Sequence, residues 1–163
     1  MKHAVISGIT ADIGNALAER LIADGWRVTG LGRKLERLGN IGADLIEVSL
    51  DDSVQLAHAC SQIEPWDLYI SCVGTMQPIG PFFSSDFDQW QNTIELNSLS
   101  QLRMLHLFWE NRKANPDVMF LAGGGTNNPM PNYSAYCVSK IFLIKMVELL
   151  ANEEFEANFF ING

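Results

Sequence analysis

Short apolar runs alternate with longer amphipathic stretches along the whole chain, which predicts strands alternating with helices. The runs that we interpret as strands cover residues 4–6, 26–31, 43–48, 67–71, 118–122 and 158–161. The helical patterns begin near residues 13, 34, 51, 87 and 134, and the last two are long, covering 87–109 and 134–152. This alternation predicts βαβ units, and therefore a parallel sheet with helices on both faces.

The predicted fold class is α/β, a Rossmann-type doubly wound parallel sheet in three α/β/α layers. The 163 residues favour a single domain spanning 1–163. In sheets of this kind, ligands bind beyond the carboxyl ends of the strands. The loops that follow strands one, two, four and five are therefore where we expect the chemistry.

Composition narrows the classes of partner. The formal net charge is −8 and the chain has no basic cluster, which argues against nucleic acid and anionic membranes. No apolar run reaches the length of a membrane span, and the N-terminus lacks the layout of a signal peptide. Cys60, Cys72 and Cys137 are scattered, and no His, Cys and Asp spacing suggests a metal site. We expect a cytoplasmic protein without a metal.

The first turn has the features of a nucleotide site. Strand one ends at Ser7-Gly8, and a helix pattern begins near Ile13-Gly14. Gly8 allows a sharp turn, Gly14 allows the helix to lie close to its strand, and the free N–H groups of the helix favour a phosphate. Asp12 is expected to cap this helix and to point away from the phosphates. The alternative is an ordinary strand–helix turn with two glycines.

Two residues bear on which dinucleotide is bound. Folds that select NAD usually place an acidic residue at the end of strand two, where this chain has Gly32-Arg33. Arg33 suits a 2′-phosphate, which favours NADP over NAD, although it could equally be a solvated loop cation. Glu47, at the end of strand three, could accept a hydrogen bond from the adenine amino group or could simply be exposed.

The segment Tyr136-Cys137-Val138-Ser139-Lys140 provides a candidate catalytic pair. Residues four apart share one face of a helix, so the phenol and the ammonium can reach one ligand. A neighbouring ammonium stabilises the phenolate and lowers the pKa of the phenol, which makes Tyr136 usable in acid–base catalysis.

The order and spacing of these features resemble the short-chain dehydrogenase/reductase family, whose members carry a Thr-Gly-x-x-x-Gly-x-Gly turn, an Asn-Asn-Ala-Gly strand end, a helix asparagine, a serine and a Tyr-x-x-x-Lys pair. Here Asp12 replaces the middle glycine of the turn, and strand four ends as Ser71-Cys72-Val73-Gly74. Asn97 falls at the helix asparagine, which supports a proton relay in the family. The resemblance covers the chain from Val5 to Ile161.

This resemblance implies a role for each matching residue. Tyr136 would exchange a proton with the substrate oxygen, Lys140 would hold the nicotinamide ribose, and Asn97 would support the relay. The residues that we expect around the cofactor are Ser7, Gly8, Thr10, Asp12, Ile13, Gly14, Arg33, Glu47, Cys72, Val73, Gly74, Tyr136 and Lys140.

The chain departs from the family in two places. The serine that binds the substrate oxygen should lie near Ala122 or Gly123, neither of which has a hydroxyl, and Thr126 is the nearest replacement. Family members also continue past strand six into a Pro-Gly turn, a substrate-covering segment and a seventh strand, whereas this chain ends at Asn162-Gly163. We expect an incomplete or shortened member that lacks the usual C-terminal strand.

The expected function is hydride transfer between NADP, or alternatively NAD, and a small carbonyl or alcohol substrate. The alternatives are a non-catalytic dinucleotide-binding or interaction protein and, less well matched to the spacing, a flavodoxin-like or sugar-nucleotide relative.

The helices 87–109, from Phe87 to Trp109, and 133–150, from Tyr133 to Leu150, are apolar over wide arcs. The family pairs these helices between subunits, which implies a homodimer or homotetramer; alternatively, one arc packs on a C-terminal segment.

Overall fold

Six parallel strands form one sheet in the computed structural model, which describes residues 1–162. The strands are β1 (His3–Ser7), β2 (Arg27–Gly32), β3 (Asp44–Glu47), β4 (Trp66–Ser71), β5 (Arg112–Leu121) and β6 (Asn158–Asn162). Their order across the sheet is β3-β2-β1-β4-β5-β6, and each neighbouring pair is parallel. The winding reverses between β1 and β4, which confirms the predicted doubly wound fold. The last residue of the expected domain, Gly163, lies outside the described residues.

Five α-helices connect the strands: α1 (Asp12–Ala23), α2 (Ser53–Ser61), α3 (Phe87–Ile94), α4 (Ser100–Phe108) and α5 (Ser134–Glu153). Short 3₁₀ turns cover Leu35–Leu38, Phe82–Ser84 and Trp109–Asn111. Of the helices in residues 1–162, none is both long enough and apolar enough to cross a membrane.

The sheet has a hydrophobic core on each face, because successive side chains of a strand point to opposite sides. In β1, Val5 belongs to the core beneath α2, α4 and α5, while Ala4 and Ile6 belong to the core beneath α1. All three side chains are fully buried. β1 is therefore apolar at all three of these successive positions, as expected for a strand covered on both faces.

The predicted helix over residues 87–109 is interrupted. α3 passes into a π-helical segment, Glu95–Leu99, before α4 begins, and α4 ends at Phe108. The prediction of one regular helix was therefore wrong at its centre. A π turn inserts an extra residue into the helical repeat and changes the direction of the side chains around it. The residue at the centre of this turn is Asn97.

Two further boundaries differ from the prediction. Leu35–Leu38 form a 3₁₀ turn rather than the expected regular helix, and they follow Lys34, whose backbone is left-handed with φ 56°. β5 begins at Arg112 instead of residue 118, and its polar first half hides the strand from a hydropathy pattern. Its pairing with β4 shifts register between Trp66 and Leu68.

Two helices start with an aspartate cap, and the cap that was expected on α1 is absent. Asp52 caps α2 by accepting from the N–H groups of Val54 and Gln55, and Asp86 caps α3 in the same way. The expected Asp12 cap is wrong: Asp12 is the first residue of α1, and the cap position is held by Ala11, which makes no side-chain cap bond. Asp12 is exposed and still places an acidic group in the first turn, where the helix dipole favours it.

Candidate active site

A cleft of about 340 Å³ opens at the carboxyl edge of the sheet, beside the ends of β1, β2 and β4. Parallel strands end there together, so the loops that follow them form its walls. Six of the residues expected around a cofactor line it: Gly8, Thr10, Arg33, Cys72, Val73 and Gly74. The sequence therefore located the main walls of this cleft.

The glycine turn after β1 depends on close backbone contacts. Gly8 has φ 73°, and a Cβ atom there would lie 2.9 Å from the carbonyl carbon of Cys72. A Cβ atom on Gly14 would lie 2.4 Å from the carbonyl oxygen of Gly8. Both distances are too short for a side chain, so α1 can start directly against the turn only with glycine at both places. The first N–H groups of α1 have no side-chain cap and remain available as donors to an anion.

Three other residues expected at this turn lie outside the lining of the cleft. Ser7 is fully buried below it, and its hydroxyl contacts the hydroxyls of Tyr69 at 3.1 Å and Ser71 at 3.0 Å. Asp12 and Ile13 lie on the exposed first turn of α1. The side chain of Ser7 is therefore a core group, whereas Asp12 and Ile13 border the turn from outside.

The strand-two end presents a free cation. Arg33 lines the cleft, is exposed, and forms no ion pair with any residue between 1 and 162. Asp51, on the same cleft, has its pKa lowered, chiefly by a hydrogen bond from Ser49 and further by the charge of Arg33. A free guanidinium at this point is suited to a phosphate.

Glu47 does not line the cleft, contrary to its expected contact with adenine. It is the exposed last residue of β3, opposite Gly32, and strand alternation turns it away from the partly buried Ile46. The carboxylate that lines the cleft from this part of the chain is Asp51, four residues later.

Tyr136 and Lys140 lie on the first turns of α5, at the end of β5. Lys140 is 3% exposed, and its Nζ atom donates a 2.8 Å hydrogen bond to the carbonyl oxygen of Leu121. The same Nζ atom lies 5.9 Å from the centre of the Tyr136 ring. The half-buried Tyr136 places its hydroxyl against Gly123, only 1.8 Å from where a Cβ atom would stand. The phenol therefore occupies the space of a side chain at residue 123.

The expected lowering of the Tyr136 pKa by Lys140 is not found. Burial raises the pKa of Tyr136, and the nearby Cys137 thiol raises it further. Burial also lowers the pKa of Lys140, to about 8. The main physical cause in both cases is the loss of water on burial, which disfavours the phenolate of Tyr136 and the ammonium of Lys140. In this arrangement Tyr136 is a protonated phenol at neutral pH.

Asn97 connects three elements at the centre of the site. It is fully buried; its side-chain oxygen accepts from the Thr75 N–H at 2.8 Å, and its Nδ2 donates to the Thr75 carbonyl at 2.8 Å. The same Nδ2 donates to the hydroxyl of Ser139, on α5, at 3.1 Å. A Cβ atom on Gly74 would lie 3.7 Å from Lys140 Nζ and 3.9 Å from Asn97 Oδ1. Gly74, which lines the cleft, therefore lies beside Lys140 and Asn97, whereas the Tyr136 hydroxyl lies against Gly123.

Gln101 is a residue of the site that the sequence reasoning missed. It is fully buried, its Nε2 donates to the backbone carbonyls of Asn97 at 2.7 Å and Val73 at 3.2 Å, and its Oε1 accepts from Ser71 at 2.6 Å. It thus holds the π turn against the end of β4. The available signal was a polar residue four positions after Asn97, on the face that the helix turns toward the sheet.

Residues 122 and 123, where the family's serine is expected, carry no hydroxyl. Thr126 was the expected substitute, but its hydroxyl donates back to the carbonyl of Gly123 at 3.3 Å. The loop thus uses Thr126 to hold its own backbone. The described residues also contain no group of three or more His, Cys, Asp or Glu side chains that could hold a metal.

The sequence profile of the short chain dehydrogenase family matches residues 2–163. The chain is 22% identical over 177 aligned positions to the benzil reductase ((S)-benzoin forming) of Bacillus cereus, covering 98% of this chain and 71% of that protein. It is 26% identical over 112 positions to the serine 3-dehydrogenase of Agrobacterium fabrum, covering 63% of this chain and 45% of that protein. The match therefore spans less than half of one of these relatives.

The fold has close counterparts among solved structures. One is a short chain dehydrogenase from Shigella flexneri complexed with NADP, with a TM-score of 0.90 at 16% identity. The superposition covers 99% of this chain and 77% of that one. At this identity the likeness demonstrates the shared fold.

Proposed function

This chain belongs to the short chain dehydrogenase family, and on that premise we propose that it transfers a hydride between a nicotinamide cofactor and a small carbonyl or alcohol substrate. The observation that carries the proposal is that Lys140 and Asn97 lie beside Gly74, which lines the cleft, while Tyr136 lies on the same helix with its ring 5.9 Å from Lys140 Nζ. A proton donor, a buried cation and a positioning amide are thereby grouped beside the place where a dinucleotide of this fold would end.

The cleft fits a dinucleotide. The turn from Gly8 to Gly14 would hold the pyrophosphate through the open N–H groups at the start of α1, because side chains are sterically excluded there. Gly74 leaves room beside Lys140 for the nicotinamide ribose. When bound, the nicotinamide supplies or accepts the hydride.

The proposed role of Tyr136 is to donate a proton to the carbonyl oxygen during reduction. Its raised pKa keeps the phenol protonated at neutral pH, which suits a general acid. The Lys140 ammonium has one hydrogen bond, to the Leu121 carbonyl, and its other N–H donors are available to the ribose and to the phenolate that remains after proton transfer. Asn97 fixes the loop after β4 against α5 and so positions both groups.

The sharpest test replaces Tyr136 by Phe and uses Tyr133→Phe as the matched control. Tyr133 is a half-buried tyrosine at the start of the same helix. NADPH oxidation with a panel of carbonyl compounds should fall by about a hundredfold or more in Tyr136→Phe. It should fall much less in Tyr133→Phe. Equal turnover in the two variants would remove Tyr136 from the mechanism.

We propose NADP as the preferred cofactor because Arg33 is exposed and unpaired at the rim of the cleft. The NADP bound in the Shigella flexneri structure agrees with this choice. A guanidinium that pairs with a 2′-phosphate contributes about tenfold or more in affinity. Calorimetry on Arg33→Ala should therefore show weaker NADPH binding and unchanged NADH binding. An equal loss for both cofactors would assign Arg33 to general electrostatics.

We propose a homodimer or homotetramer through the faces of α4 and α5. Large apolar side chains are exposed on the π turn, α4 and α5: Leu99, Leu107, Val138, Ile141, Phe142 and Leu149. Exposed apolar surface that is larger than usual for a monomer is often covered by another protein surface. Sedimentation of Phe142→Asp against wild type tests the proposal, because the charge should dissociate the assembly.

We propose that the protein is cytoplasmic, because its three cysteines are buried and unpaired, as is usual in a reducing compartment.

One observation favours a second candidate, a dinucleotide-binding protein without turnover. Gly123 offers no hydroxyl to a substrate oxygen, and the Thr126 hydroxyl is engaged by the loop. Tight NADPH binding without oxidation of any carbonyl compound in the panel would support this candidate over the enzyme.

A further inference from the structure

Two loops at the carboxyl ends of β4 and β5 lie near the start of α5, which carries Tyr136, and neither loop contains a charged residue. The segments 72–85 and 121–135 hold no Asp, Glu, Lys, Arg or His, although 18% of the chain is charged. The first follows β4 and the second connects β5 to α5. Loops at the carboxyl edge of a parallel sheet are usually polar and exposed. The absence of charged side chains from both loops therefore distinguishes the surroundings of Tyr136 from an ordinary loop surface.

Hydrogen bonds join the two loops into one wall. The N–H of Gly80 donates to the carbonyl of Asn132 at 2.9 Å. The indole N–H of Trp90 donates to the hydroxyl of Ser134 at 2.9 Å, which ties α3 to the start of α5. We call the two bonded segments, 72–85 and 121–135, the wall. It adjoins the first turn of α5, where Ser134 lies two residues before Tyr136.

Apolar side chains remain exposed on this wall. Met76 is 41% exposed, Ile79 is 51% exposed and Phe82 is 43% exposed. Met130 is half-buried, with its sulfur 3.8 Å from the Cβ position of Gly124 in the glycine loop next to Tyr136. The wall thus offers apolar contact surface to a molecule bound beside Tyr136.

Lys140, the cation on the same helix as Tyr136, does not provide a partner for a charged group on the wall. Lys140 is 3% exposed and its ammonium donates to the Leu121 carbonyl, on the side of Gly74 rather than the wall. The chain as a whole carries a net charge of −8, which further opposes an anion. A carboxylate moved from water to such a surface loses hydration without gaining a partner, and an ammonium group would find no carboxylate.

We propose that the substrate is an uncharged ketone or aldehyde that carries an apolar group, with charged oxo acids and amino acids disfavoured. This inference rests on the proposed hydride transfer, since it names the substrate class of the same site. The carbonyl lies toward Tyr136 and the apolar group lies on the wall formed by Met76, Ile79 and Met130.

The test compares methyl benzoylformate with benzoylformate, which share a ring and a ketone and differ in charge. Two readouts are used: NADPH oxidation, and calorimetric binding of each compound to the protein with NADP⁺ present. The ester should exceed the acid by about tenfold or more in both readouts. Equal or stronger binding and turnover of the acid would overturn the proposal.

A charge placed in the wall separates the effect of charge from the reactivity of the ester. Ile79→Lys should reduce the ester-to-acid ratio by about tenfold. Phe155→Lys gives the same change in net charge at the opposite end of α5, where the side chain is 88% exposed, and should leave the ratio unchanged. An unchanged ratio in Ile79→Lys would overturn the proposed wall.

The two readouts also distinguish this inference from the proposed function. Binding of the ester in preference to the acid without NADPH oxidation would support the substrate class and contradict hydride transfer. Failure of both compounds to bind would overturn the substrate class.

Discussion

The two ends of the site are built in different ways. At β1 and β2 the cleft is formed mainly by backbone: Gly8 and Gly14 leave no room for side chains, and Arg33 stands free at the rim. At β4 and β5 the site is formed by packed side chains, with Lys140 buried and Tyr136 against Gly123. The first end is therefore sensitive to added volume, and the second to lost hydrogen bonds and to charge.

The largest expected effect tests the backbone end. Gly14→Ala brings a Cβ atom to 2.4 Å from the Gly8 carbonyl oxygen, so α1 must move away from the turn. Overpacking of this kind should lower the free energy of unfolding by about 3 kcal/mol, measured by urea denaturation, and abolish NADPH binding. Gly124→Ala is the control, because its nearest contact is 3.8 Å. Similar losses in the two variants would contradict the steric account.

The packed end should respond to the loss of a single amide. Gln101→Met keeps the approximate length of the side chain but leaves the Asn97 carbonyl and the Ser71 hydroxyl without their partner. Buried polar groups left unsatisfied cost about 1–3 kcal/mol each, so unfolding should become easier by about 2 kcal/mol. Turnover should fall while NADPH affinity changes little. A variant as stable and as active as wild type would show that the network does not hold the π turn.

The sequence predicted the backbone end better than the packed end, for a physical reason. Gly14 meets the carbonyl oxygen of Gly8 within the same turn, so this contact can be inferred from the spacing of the two glycines. The π turn is stabilised by bonds from Asn97 to Thr75 and Ser139, which are 22 and 42 residues away. No local pattern encodes these two contacts, so the break in the helix could not be predicted.

The errors at individual residues have related causes. Asp12 misses the cap position by one residue, which is the usual uncertainty of a helix boundary. Glu47 was predicted to contact adenine because it lies at the end of a strand. Successive side chains of a strand point to opposite faces, and Glu47 points outward. The lysine–tyrosine pair was correctly placed on one helix, yet the pKa of each group is shifted mainly by its burial, which depends on the packing of the whole fold.

The buried charge at the packed end should appear in the pH dependence of stability. The pKa of Lys140 is about 8 in the folded chain, below its ordinary value of 10.5. Below pH 8 the lysine is charged in both states and its burial opposes folding. Between pH 8 and pH 10.5 the unfolded chain binds more protons at this lysine than the folded chain does, so the free energy of unfolding rises with pH. The difference between wild type and Lys140→Met should therefore rise by about 2 kcal/mol from pH 8 to pH 10.

Urea denaturation across this pH range gives the measurement, and subtraction of Lys140→Met removes the contribution of other groups. A difference that stays constant, or that falls as the pH rises, would show that the ammonium is not desolvated.

The smallest expected effect concerns the space at Gly123. Gly123→Ala puts a Cβ atom 1.8 Å from the Tyr136 hydroxyl and should displace the phenol, lowering turnover by about tenfold. Gly123→Ser, which adds a hydroxyl at one of the two positions where the family's serine is expected, should also lower turnover because it adds the same Cβ atom. Ultraviolet titration should show the Tyr136 pKa returning toward its ordinary value as the ring gains water. A rise in turnover for Gly123→Ser would contradict this packing.

Hydride transfer itself is tested most directly by following the transferred atom. The protein is incubated with methyl benzoylformate and NADPH deuterated at the hydride-donating carbon, and the alcohol product is analysed by mass spectrometry. We expect deuterium on the new carbinol carbon with wild type and about a hundredfold less labelled product with Tyr136→Phe. Absence of labelled product from a wild-type protein shown by calorimetry to bind both compounds would contradict the proposed oxidoreductase.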